Sequence, residues 1–164
     1  MSFRDLMTWM VVLCICLRSA IASATDEVPV YSLREIHAYF YFEESGRVGD
    51  HDLFDPSLVL RNTPGGEGDA SEPSTVTLIT ITVSGPHFGG GATGTIDLRA
   101  SANGRLLSRQ SVPLSLLFSR SQSVKVPFLV VGTGCEKLAL KARILGVRAK
   151  PSEINKTVPF ACGE

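Results

Sequence analysis

Hydrophobic and polar residues alternate with a period of two along several short stretches of this chain of 164 residues. In the stretch 35–43, apolar side chains occupy every second position, and His37, Tyr39 and Tyr41 fill the positions between them. A period of two, together with aromatic and β-branched residues, is typical of a β-strand with one buried face. The same alternation predicts further strands, which cover 75–83, 96–100, 105–113, 123–131, 137–144 and 156–162.

Turn signals and one break in the alternation add detail to these strands. Asn103-Gly104 is the pair that most strongly favours a two-residue hairpin turn. Within 75–83 the apolar phase slips between Leu78 and Ile79, which indicates either a bulge or a strand buried on both faces. The short apolar run 114–118 fits either a strand or one helical turn.

Roughly seven to nine short strands separated by turn residues are typical of an antiparallel sandwich. The sequence therefore predicts an all-β fold, an antiparallel β-sandwich that is immunoglobulin-like in the broad sense, forming a single domain over 25–164. Three segments rich in glycine, proline or acidic residues are predicted to be mobile loops. They cover 43–56, 62–73 and 85–94.

The first 24 residues have the composition of a cleaved signal peptide. Arg4 precedes the apolar run 10–17, and Ala22-Ser23-Ala24 supplies the small residues that signal peptidase reads. A membrane anchor needs about 20 apolar residues, and Arg18 interrupts this run well before that length. We expect an exported protein, periplasmic or secreted, whose mature chain has no stable membrane anchor.

Cys135 and Cys162 are the two cysteines that follow the leader. An isolated pair in an oxidising compartment predicts a disulfide bond. A zinc site is disfavoured because the spacing is not CxxC and no histidine lies near either residue. A catalytic or partner-exchanging thiol is the alternative.

The charge of the chain is divided unevenly along its length. Residues 26–72 contain 11 acidic and 3 basic residues, whereas 73–164 contain 4 acidic and 11 basic residues. Such a division indicates a partner-binding surface, unless antiparallel pairing interleaves the two halves, which is the interpretation we favour. No dense basic run with interleaved aromatic residues occurs, so we expect no nucleic-acid partner.

Asp50, Asp52 and Asp55 are the best candidate metal ligands, because several carboxylates in one loop suit calcium. The segment lacks the glycine and distal glutamate of an EF-hand, so an ordinary acidic loop is favoured and no cofactor is expected. His87 and Phe88 lie in the glycine-rich loop 85–94, which has no lysine and no following helix and so does not resemble a phosphate-binding loop. These two residues are candidate partner contacts on a recognition loop.

Lys141 and Arg143 share the polar face of the strand 137–144 and are also candidate partner contacts. Asn155 begins an Asn-Lys-Thr acceptor for glycosylation, which applies only in a eukaryotic source. No nucleophile motif accompanies the histidines, so we expect no enzyme. The leading hypothesis is an exported, non-enzymatic β-sandwich that binds another protein, as an accessory or assembly factor. The alternatives are a calcium- or small-ligand-binding secreted domain using the acidic loop 43–55, and an enzyme with an unrecognised site.

Overall fold

The computed structural model describes residues 30–86, 88–117 and 119–163. Those residues form eight strands and two short 3-10 helices, the latter at Thr63–Gly65 and Leu114–Leu116. The strands are β1 (Ser32–Phe42), β2 (Arg47–Val48), β3 (Val76–Ser84), β4 (Thr95–Ala102), β5 (Arg105–Pro113), β6 (Ser123–Val131), β7 (Leu138–Leu145) and β8 (Glu153–Val158). The predicted signal peptide, residues 1–24, lies outside the described residues.

The strands form two four-stranded sheets. Sheet I has the order β2-β1-β3-β6, and sheet II has the order β5-β4-β7-β8. Every neighbouring pair is antiparallel. The inward residues of both sheets form one core, because the period-two alternation brings the apolar side chains to a single face. The prediction of an all-β antiparallel sandwich is confirmed.

Turn chemistry explains one of the hairpins. Asn103 and Gly104 both have positive φ, 48° and 76°, which is the requirement of a type I′ turn. The turn joins β4 to β5, as predicted, and β5 begins at Arg105. The predicted bounds of β5 and β6 agree with the structure.

The structure decides between two alternatives for one predicted element and shifts the bounds of another. The run 114–118 contains the 3-10 helix Leu114–Leu116, so one helical turn is the correct alternative, and Leu114 is its buried residue. The last strand is Glu153–Val158, which lies earlier than the predicted 156–162. Pro159 explains the end of β8, since proline has no N–H to donate to a strand ladder. Beyond it, Ala161 N–H donates to the carbonyl of Leu60 at 3.0 Å.

The slip of the apolar phase in β3 is not a bulge. The register of β3 with β6 runs without a shift from Val76 to Ser84, and the one irregularity with β1 falls between Leu33 and Glu35. Val76 and Leu78 instead lie on the outer face of sheet I, opposite to Ile79, and Val76 is nevertheless buried. Burial on both faces is therefore the correct alternative for this end of β3.

The disulfide between Cys135 and Cys162 is confirmed, with a Cα–Cα distance of 4.5 Å. It joins the turn between β6 and β7 to the segment after β8, and Cys162 N–H donates to the carbonyl of Cys135 at 2.8 Å. The bond thereby fastens the C-terminal segment across the end of the sandwich. Among the described residues, no helix has the length and apolar character needed to cross a membrane.

Candidate functional site

The acidic loop places its three candidate ligands in separate contacts. Asp52 accepts hydrogen bonds from the N–H groups of Ala38 (3.1 Å) and Phe54 (3.2 Å). Asp55 accepts from the N–H and hydroxyl of Ser57, at 2.9 and 2.7 Å. Asp50 is exposed. In the part of the chain that the structure describes, no three acidic, histidine or cysteine side chains are placed to hold a metal ion.

Other carboxylates of the acidic half fasten the long connection between β2 and β3 in the same way. Asp69 accepts from the N–H of Val59 at 2.5 Å, and Glu43 accepts from the N–H and hydroxyl of Thr75 at 3.1 and 2.5 Å. Partial burial raises the pKa of Glu43, but the Thr75 hydrogen bonds outweigh burial and hold that pKa below its usual value. The acidic side chains of this segment therefore accept hydrogen bonds from backbone N–H groups that have no partner within a sheet.

The connection also contributes to the core. Leu53, Leu60 and Ala70 are buried within the same cluster as the strands, and Leu53 N–H donates to the carbonyl of Ala38 at 2.8 Å. The predicted loop 43–56 contains the two-residue strand β2, and the predicted loop 62–73 contains a 3-10 helix. Sequence patterning missed this anchoring role, because an isolated leucine in a polar segment carries no periodicity. The mobility of these loops stays a prediction.

His37 lies between two carboxylates on the outer face of sheet I. Its Nδ1 is 2.7 Å from Asp52 Oδ2, and its Nε2 is 3.2 Å from Glu35 Oε2. The hydrogen bond to Asp52 raises the pKa of His37, more than partial burial lowers it. The cluster ties β1 to the acidic loop, and no nucleophile is paired with this histidine among its contacts.

We expect Asp52→Asn to lower the pKa of His37 towards the ordinary value of about 6.5. Because the pKa of His37 is raised in the folded state, the protonated ring stabilises the fold. This stabilisation is complete below the unfolded-state pKa and is lost as the pH rises through the folded-state pKa. An NMR titration of the His37 ring protons measures the shift. Glu35→Gln is the matched control and lowers the pKa less. Equal midpoints in the wild type and Asp52→Asn contradict the assigned hydrogen bond.

The glycine-rich loop contributes a packing contact. The ring of Phe88 meets that of Tyr31 edge-on, with centroids 6.0 Å apart, and Phe88 is half-buried against the core. Gly85 lies so close to Tyr31 that an added Cβ would be 2.1 Å from the ring, so only glycine permits this packing. His87 lies outside the described residues. A recognition role for the loop stays a prediction.

Sheet II, which has one outer face, is built entirely from the basic half of the chain. All four of its strands come from 95–158, and together they contain six basic and two acidic residues. Antiparallel pairing therefore does not interleave the two halves in this sheet. Lys141 and Arg143 both lie on this face, where each contacts Glu153, at 2.9 and 3.3 Å.

A buried carboxylate organises the same face. Asp97 is 2% exposed and accepts from Ser111 Oγ at 2.7 Å and from Arg109 Nε at 3.2 Å, while Arg99 Nε lies 3.6 Å away. Burial raises the pKa of Asp97, but these hydrogen bonds and the two guanidinium charges outweigh it, so the pKa lies below its usual value. Asn155 is exposed on β8, opposite Lys141 in the register, and donates to Glu153 at 3.0 Å.

The outer face of sheet I, in contrast, exposes apolar side chains at one end. The register aligns Tyr39 with Leu78 and Leu129, and aligns Tyr41 with Val48 and, through Val76, with Val131. We call this surface the apolar patch; its exposed and half-buried members are Tyr39, Tyr41, Val48, Leu78, Leu129 and Val131. Leu129 is 46% exposed and Val131 is 67% exposed. Further along the strands, the next outward-facing side chains of β3 and β6 are polar and include Thr80, Thr82 and Lys125.

The free edge of β6, beside the apolar patch, is closed to strand addition. Pro127 has no N–H, and the carbonyl of Leu129 accepts a hydrogen bond from Gln110 Nε2 of β5 at 2.6 Å. These features block the backbone pairing that an exposed edge strand otherwise offers.

No known protein family matches this chain, and no curated protein matches it.

Proposed function

We propose that this chain is an exported, non-enzymatic β-sandwich protein that binds another protein, in an accessory or assembly role, through the apolar patch of sheet I. The patch is the observation that carries the proposal. The outward face of an antiparallel sheet is usually polar, and a contiguous exposed apolar surface marks an interaction site. Six neighbouring residues on four strands form such a surface here.

The composition of the patch and its surroundings favours a protein partner. An aromatic and aliphatic centre with a polar rim is the arrangement of protein–protein interfaces, in which tyrosine is enriched. Tyr39 and Tyr41 contribute the aromatic side chains, and the Thr80 and Thr82 rows form the rim on one side. The blocked β6 edge favours face-to-face packing over strand addition.

Two features support export. A disulfide persists in an oxidising compartment, and the Cys135–Cys162 bond lies across the end of the sandwich. The Ala22-Ser23-Ala24 site would release a mature chain beginning at Thr25. The calcium alternative has no observation in its favour, since hydrogen bonds within the chain already engage the carboxylates of Asp52 and Asp55.

Quantitative co-purification from the native host tests the proposal. The bait is the tagged mature chain, compared with Leu129→Lys/Val131→Lys, which introduces a residue tolerated on exposed edge strands. Leu116→Lys is the matched control, because Leu116 is 66% exposed but lies in the β5–β6 connection, away from the patch. We expect one protein to be retained by the wild type and by the control, and reduced at least about tenfold with the double variant. Equal recovery with all three baits, or recovery of a second copy of the chain alone, contradicts the proposal.

A further inference from the structure

The outer face of sheet II carries more positive charge than its carboxylates balance. Four basic side chains project there, and two carboxylates, Asp97 and Glu153, are each shared by two of them. The four are Arg99, Arg109, Lys141 and Arg143. Three of them fall in one row of the register, with Arg109 and Lys141 flanking Arg99 on adjacent strands. Like charges directly opposite each other destabilise a sheet, and Asp97 and Glu153 balance only two of the four positive charges on this face.

The arginines of this face contact their carboxylates through Nε, and these contacts do not use the two terminal amino groups of each guanidinium. Arg99 and Arg109 contact Asp97 through Nε, and Arg143 contacts Glu153 through Nε. A guanidinium has five N–H donors, and its two terminal amino groups form the fork that matches a carboxylate. All three arginines are about half exposed. The carboxylates therefore orient the arginines without using those terminal groups.

A depression beside the row offers space for a ligand. It has a volume of about 480 Å³, and charged, amide and aliphatic groups line it. Its lining includes Arg99, Lys141, Asn155, Ala139 and Leu106, the last of which is largely exposed. None of the four strands of sheet II contains an aromatic residue. Single-stranded nucleic acids are held in part by stacking on aromatic side chains, which these strands lack. The aliphatic and amide groups of the lining instead suit the side chains and backbone of a polypeptide.

We propose that the outer face of sheet II docks an acidic segment of a partner polypeptide. The carboxylates of that segment engage the terminal amino groups of Arg99, Arg109 and Arg143 and the ammonium of Lys141. An aliphatic side chain of the segment rests in the depression against Leu106 and Ala139. This site lies on the opposite face of the sandwich from the apolar patch and does not depend on it.

Fluorescence anisotropy with a labelled octaglutamate peptide and the purified mature chain tests this site. Lys141→Gln/Arg143→Gln removes two of the four cations and leaves the buried Asp97 paired. Lys125→Gln is the matched control, because Lys125 is an exposed cation on the outer face of sheet I. We expect the double variant to bind about tenfold more weakly, the control to bind as the wild type does, and all binding to weaken between 0.1 and 1 M salt.

A folding control, further variants and a second ligand distinguish the possible outcomes of this experiment. Circular dichroism establishes that each variant is folded, and Arg99→Gln replaces the double variant if the latter is not. Leu129→Ser/Val131→Ser, which removes two apolar side chains of the patch without adding charge, binds octaglutamate like the wild type, so failure of the apolar patch and failure of this site are distinguishable. No binding of octaglutamate by the wild type at low salt overturns the proposal. Tighter binding of a heparin octasaccharide, lost in the same variants, also overturns it and assigns the face to an anionic polysaccharide.

Discussion

Replacing Cys135 and Cys162 together by alanine lowers the free energy of unfolding by about 3.5 kcal/mol, from loss of the constraint on the unfolded chain. The two cysteines are 27 residues apart in sequence, and the loop they close contains β7 and β8. Cys162 lies in the segment that follows β8, which the disulfide fastens to the turn between β6 and β7. The hydrogen bonds from Ala161 to Leu60 and from Cys162 to Cys135 therefore weaken as well.

Chemical denaturation of the oxidised wild type and the double variant measures this difference. Reduction of the wild type provides the control, since the reduced protein should unfold at the same denaturant concentration as the variant. A loss smaller than about 1 kcal/mol, far below the range for native disulfides, contradicts the view that the bond constrains this fold.

The second large effect is expected in the acidic connection between β2 and β3. Leu53→Ala should lower the free energy of unfolding by about 2 to 5 kcal/mol, the range for a buried leucine that leaves a cavity. Leu53 is 0% exposed and belongs to the same core cluster as the strands. Its loss also weakens the packing that holds Asp52 against His37.

Val59→Ala is the matched control in the same connection, because Val59 is 56% exposed. Its effect should stay within about 0.5 kcal/mol, as for other exposed substitutions. Thermal and denaturant unfolding of both variants separate the two sites. Equal, small effects at both positions contradict the assignment of this connection to the core.

The sequence predicts the strands well because the period of two is a local property. Neighbouring residues determine which side chains share a face, and the Asn103-Gly104 turn depends only on two residues with positive φ. The Cys135–Cys162 pair could be predicted because residues 25–164 contain no other cysteine. The end of β8 was predicted too late, although Pro159 was the local signal for it.

The candidate sites depend on contacts between distant parts of the chain, and local patterns do not contain them. Tyr39, Leu78 and Leu129 become neighbours only through the order β1-β3-β6. The slip of phase at Leu78 is one local sign of this surface, and Leu129 and Val131 at outward positions of 123–131 are another, since both place apolar residues on the face that should be polar. The acidic residues were considered as metal ligands because the sequence does not show which backbone donors they meet.

Site-specific photocrosslinking in the native host tests the central claim, that the apolar patch binds another protein, most directly. A photoreactive amino acid replaces Val131 in the patch or Leu116 outside it, two positions of nearly equal exposure at 67% and 66%. We expect a covalent adduct with a different polypeptide from position 131 and none from position 116. No adduct at 131, equal adducts at both positions, or an adduct with a second copy of the chain alone would contradict it.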